Sequence, residues 1–106
     1  MASMPKARPA LQPVPPAAVK PLEACFIRAT VRRFYGAGAV IRNFGPDPAR
    51  LWLHVETDMK PGLERCDCLG VLMCRIKRDE IRLVATQRGS RISGDAKIAY
   101  RQGEIL

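Results

Sequence analysis

The chain has 106 residues, with 18 Lys and Arg against 10 Asp and Glu, and a net charge of +8 at pH 7. This length suits one domain and excludes a multi-domain enzyme. With 47% hydrophobic and 26% charged residues the chain is not disordered throughout, and its basic excess favours anionic partners.

Residues 1–21 carry Lys6, Arg8 and Lys20, no acid, and six of the nine prolines. Alternating Pro, Ala and Val favour extended backbone and offer too little apolar surface to offset ordering entropy, so this segment reads as a disordered basic tail. It has no apolar stretch of the secretory-signal kind. Residues 22–106 then form a single small domain, which keeps 15 basic and 10 acidic groups and is basic in its own right. A chain this short buries only about 60–65% of its unfolded surface. The thin core leaves room for a homo-oligomer or a partner.

Residues 22–35 form a helix by pattern. One stripe holds Leu22, Cys25, Phe26 and Ala29, another Ile27, Val31, Phe34 and Tyr35, and Gly36 follows as a helix stop. Residues 39–44 read as a strand, and Gly45-Pro46-Asp47-Pro48 as a turn. Residues 50–57 alternate, with Leu51, Leu53 and Val55 on one side and Trp52, His54 and Glu56 on the other; the two strands make a hairpin. Residues 63–76 predict a second helix, with Leu63, Cys66, Leu69, Met73 and Ile76 on its buried stripe. Residues 80–87 alternate as a strand, residues 88–95 are a polar loop, and residues 96–101 read as a last strand, with Ile98 and Tyr100 on one face. The expected fold is α+β: two αββ units forming a four-stranded, mainly antiparallel sheet with two helices on one face. The longest apolar run, residues 69–74, is far too short to span a bilayer. No membrane association is expected, and a cytoplasmic location is.

Four groups of residues have chemical potential. Cys66, Cys68 and Cys74, with Cys25 or His54, are donor types that zinc accepts, but on a helix Cys66 and Cys68 point about 200° apart. The simpler reading makes Cys66 and Cys74 small core hydrophobes. His54, Glu56 and Asp58 fall on one face of the second strand, as metal ligands or an acid–base set; the simpler reading is a solvated strand face. Pro46-Asp47 followed by Asp58-Met59-Lys60 resembles, over a few residues, the two carboxylates and lysine of metal-dependent nucleases, although Pro46-Asp47-Pro48 is better explained as a turn.

The fourth group is basic: Arg82, Arg88, Arg91, Lys97 and Arg101 in the C-terminal region, with Arg28 and Arg32 one turn apart on the first helix. Such side chains meet phosphate through charge-assisted hydrogen bonds and counterion release. Aromatic residues are scarce, leaving Tyr35, Trp52 and Tyr100 as the available stacking platforms. The sequence therefore points to a small non-enzymatic binding module. Nucleic acid or an acidic protein surface would meet those seven cations, and no cofactor is called for. The alternatives are a protein–protein adaptor or regulatory subunit, and a metal-dependent, nuclease-like enzyme built on His54, Glu56 and Asp58.

Overall fold

The computed structural model describes residues 19–106, and the segment 1–18, on which most of the expected tail falls, lies outside the described residues. Val19 is buried in the core, so the ordered unit reaches back at least that far. Helix α1 spans Pro21–Tyr35. Pro21 sits where a helix needs no N–H, and the backbone N–H of Lys20 donates to Glu23 at 3.2 Å. The helix stops at Gly36, which takes a φ of 98° that glycine adopts without strain.

Strands β1 (Val40–Asn43) and β2 (Arg50–Thr57) form the expected antiparallel hairpin, with Ile41 opposite Val55 and Arg42 opposite His54. The Asn43 side chain holds the turn by accepting from the backbone N–H groups of Gly45 and Trp52. Helix α2 (Glu64–Arg75) leads to β3 (Glu80–Gln87), helix α3 (Gly94–Arg101) and the two-residue strand β4 (Glu104–Ile105).

The sheet is four-stranded and mixed, in the order β3-β2-β1-β4. It departs from two αββ units in two ways. First, β3 runs parallel to β2, in register from Arg50 opposite Glu80 to Thr57 opposite Gln87. The reason is the connection: α2 lies between these strands, and a helical crossover returns the chain in the same direction. Second, the segment expected as the last strand is α3. Its first turn is capped by Ser93, whose Oγ accepts from the Ala96 N–H at 3.3 Å. Asp95 and Arg101 complement the helix dipole at the two ends. The antiparallel edge strand is instead β4, beside β1.

The core lies on one face of the sheet. Ile41, Leu51, Leu53, Val55 and Leu83 point there and meet Ile27, Val31 and Tyr35 of α1 and Cys68 and Leu72 of α2. The α1 stripe that packs is therefore the one running Ile27, Val31, Tyr35, while Leu22 is 85% exposed. In α2 the buried face is turned from the expected one: Cys68 and Leu72 are buried, as is Ile76 just beyond the helix, whereas Leu63, Cys66 and Met73 face outward. Both stripes of α2 are apolar, and the crossover onto β3 decides which one is covered. No helix among the described residues is long and apolar enough to cross a membrane.

Candidate anion-binding cleft

The opposite sheet face carries the even-numbered side chains of the strands: Arg42 from β1, Trp52, His54 and Glu56 from β2, and Arg82, Val84 and Thr86 from β3. Helix α3 lies over part of this face. The Tyr100 ring stacks on His54 with centroids 3.9 Å apart and planes 3° from parallel. Phe44 meets Tyr100 edge-on at 5.0 Å and Trp52 at 5.8 Å. His54 Nε2 lies 2.8 Å from Thr86 Oγ1. The strand face at His54 is thus not solvated, as the simpler sequence reading had it: His54 is only 5% exposed. Burial lowers its pKa, Glu56 pulls it back upward, and Arg42 adds to the lowering.

Between α3 and this face opens a cleft of about 260 Å³, lined by Arg42, His54, Glu56, Ile92, Lys97, Tyr100 and Arg101. Its charge is unbalanced. Four arginines elsewhere are matched, Arg50 near Asp47, Arg78 on Glu23, Arg82 on Glu80 and Arg88 on Asp58, while others among the described residues, such as Arg32 and Arg33 on α1, are not. Among the described residues, Arg42, Lys97 and Arg101 make no ion pair. The Nε of Arg42 is shut away from solvent and has no hydrogen-bond partner among the described residues. Glu56 is the single carboxylate of the lining. A half-enclosed site with excess positive charge and an unused donor favours an anion.

The basic residues singled out by sequence are divided by the fold. Lys97 and Arg101, one turn apart on α3, line the cleft, and Arg91 is exposed in the segment before α3. Arg82 is held by Glu80 and lies over the Trp52 ring at 4.5 Å. Arg88 is committed to Asp58 and to the Gly38 carbonyl. Arg28 and Arg32 lie on α1, in the layer on the other side of the sheet. Arg42 was missed. Its signal was the hairpin itself, which seats residue 42 beside the strand position of His54.

The other constellations disperse. No three His, Cys, Asp or Glu side chains among the described residues are grouped to hold a metal. His54 and Glu56 share the cleft, but Asp58 lies past the end of β2 and pairs with Arg88. Asp47 and Asp58 flank β2 at opposite ends, about 25 Å of strand apart. Cys66 and Cys74 are exposed, which reverses their expected core role. Cys68 is the buried one, and its thiol is pushed up to about 11 by burial and by Glu64. Of the stacking platforms, Tyr35 is in the core, Tyr100 faces His54 and Trp52 faces Arg82.

Comparison with protein-family models, with curated proteins and with solved structures finds no match for this chain.

Proposed function

We propose that the protein is a small non-enzymatic binding module whose partner is nucleic acid, held by its sugar–phosphate backbone. The observation that carries this reading is the gathering of Arg42, Lys97 and Arg101, none of them ion-paired among the described residues, around one cleft on the face away from the core. Arg91 extends the same basic region. The aromatic faces are already engaged within the molecule, so contacts are to phosphate rather than through base stacking, and they discriminate little between sequences. Four unpaired cysteines suit work in a reducing compartment such as the cytoplasm.

Fluorescence anisotropy with labelled mixed-sequence DNA and RNA, at low and at physiological salt, tests this. Saturable binding that weakens steeply as salt rises is expected. Absence of binding to either nucleic acid at low salt overturns the reading.

A further inference from the structure

We infer that the cleft between α3 and the sheet is a discrete pocket for one phosphate group, with Arg42 as its inner anchor and Lys97 and Arg101 as its outer ones. The inference rests on the nucleic-acid reading and deepens it, because a pocket of this kind takes a phosphate whether or not a polymer is attached.

Three features separate a pocket from a merely basic surface. The first is enclosure. The lining comes from β1, β2, α3 and the segment before α3, and the stacked His54–Tyr100 pair forms one wall. At about 260 Å³ the cleft falls below the range of roughly 300–1,000 Å³ usual for whole small-molecule ligands, so it suits a charged group with its adjoining atoms. The second is the donor set. Arg42 rises from a strand paired on both sides, and its secluded Nε has no acceptor among the described residues. Buried donors are nearly always satisfied, and a turn of the guanidinium would bring this Nε to an anion seated in the cleft that the rest of the Arg42 side chain already lines. The third is charge. Three cations face one carboxylate, Glu56, so a dianion neutralises the lining. A phosphate offers oxygens in several directions, matching cations that approach from the sheet and from two positions on a helix. A carboxylate would be satisfied by one arginine fork alone.

The test uses the full chain, labelled with nitrogen-15, and follows the Arg42 Nε–H signal and the amides of residues 97–101 by NMR. Inorganic phosphate is titrated against sodium chloride of matched ionic strength. Phosphate is expected to shift these signals saturably and chloride is not. Arg42→Gln is expected to weaken phosphate binding at least tenfold. Should that variant fold poorly, Lys97→Ala/Arg101→Ala, at exposed helix positions, gives the same answer without touching the sheet. An absent or unsaturable shift, or an equal response to chloride, overturns the pocket.

A short oligonucleotide with and without a 5′-phosphate then identifies the source. A shift of the Arg42 signal with the phosphorylated form alone assigns the cleft to terminal phosphates, and a shift with both assigns it to internal ones; either supports the pocket. Failures of the two readings are distinguishable. If phosphate saturates the cleft but no oligonucleotide binds, the pocket stands and the nucleic-acid reading falls. If oligonucleotides bind wild type and Arg42→Gln equally and phosphate leaves the cleft unmoved, the pocket falls and the nucleic-acid reading stands.

Discussion

His54 resists protonation because of where it sits. Its ring lies between the sheet and Tyr100, and removal from water disfavours the imidazolium more than Glu56 favours it. In the unfolded chain it titrates near the ordinary value of about 6.5. Below that pH the unfolded chain takes up a proton that the folded one resists, so stability present above about pH 6.5 is lost as pH falls toward the lower folded pKa. Glu80, held below the usual carboxylate range by the Trp52 indole N–H and Arg82, adds its own loss only in a more acidic window. Thermal melts between about pH 7.5 and 5.5 are expected to show a falling Tm that His54→Gln flattens; an unchanged acid slope in the variant would assign the loss to other groups. Thr57 is a second residue whose polarity is structural. It is fully buried, its hydroxyl donates to the Tyr35 carbonyl at 2.6 Å, and it accepts from the Met59 N–H. Thr57→Val keeps the shape and strands both partners, and urea denaturation is expected to register a loss of about 1–3 kcal/mol. A loss near zero would mean that both partners find replacements.

Helix α3 is the element on which the cleft depends and the one with least support of its own. It has eight residues and no fully buried side chain, and isolated helices of that length do not persist in water. The Ser93 cap and the packing of Tyr100 on His54 and Phe44 hold it in place. Ser93→Ala is expected to cost about 0.5–2 kcal/mol, first as faster amide exchange in residues 94–101. Weaker anion binding should accompany it, since Lys97 and Arg101 ride on that helix. Unchanged exchange would show that the tertiary contacts alone suffice. The same helix marks where sequence patterns stop being decisive. Ala96, Ile98 and Tyr100 alternate as a strand would, yet Ile98 ends 60% exposed, while Ile92, Ala96, Ala99 and Tyr100 recur at helical spacing and are the partly covered set. The local elements from α1 to β3 were legible because each writes its own period over eight or more residues, or is pinned by a turn. The direction of β3 was equally available, since a helix between two strands implies a crossover. The buried face of α2 was not, because both of its stripes are apolar and only β3, brought in from later in the chain, selects one.

At the scale of the whole molecule, charge is divided between two layers. Composition shows the excess, but which cations share a surface depends on which helix lies on which face of the sheet, and that is a long-range outcome. Arg28 and Arg32 belong to the core-side layer, and Lys97 and Arg101 to the cleft side. The two pairs allow a charge-matched comparison. Removing either by alanine substitution lowers the net charge by two from +8, so any steering that depends on total charge changes alike. Local contact does not. The log–log dependence of nucleic-acid affinity on salt has a slope of about −0.9 for each phosphate neutralised on B-DNA, so Lys97→Ala/Arg101→Ala is expected to shallow it by about two. Arg28→Ala/Arg32→Ala is expected to leave the slope nearly unchanged, with a modest fall in association rate. Equal shallowing in both variants would mean that nucleic acid senses a diffuse basic field with no preferred face. A larger effect from the α1 pair would move the contact surface to the other side of the sheet. Arg82→Ala and Arg88→Ala give an internal check, since each also frees a carboxylate, Glu80 or Asp58. If those side chains are structural ion-pair partners, each loss leaves the slope in place and lowers affinity only through the added negative charge.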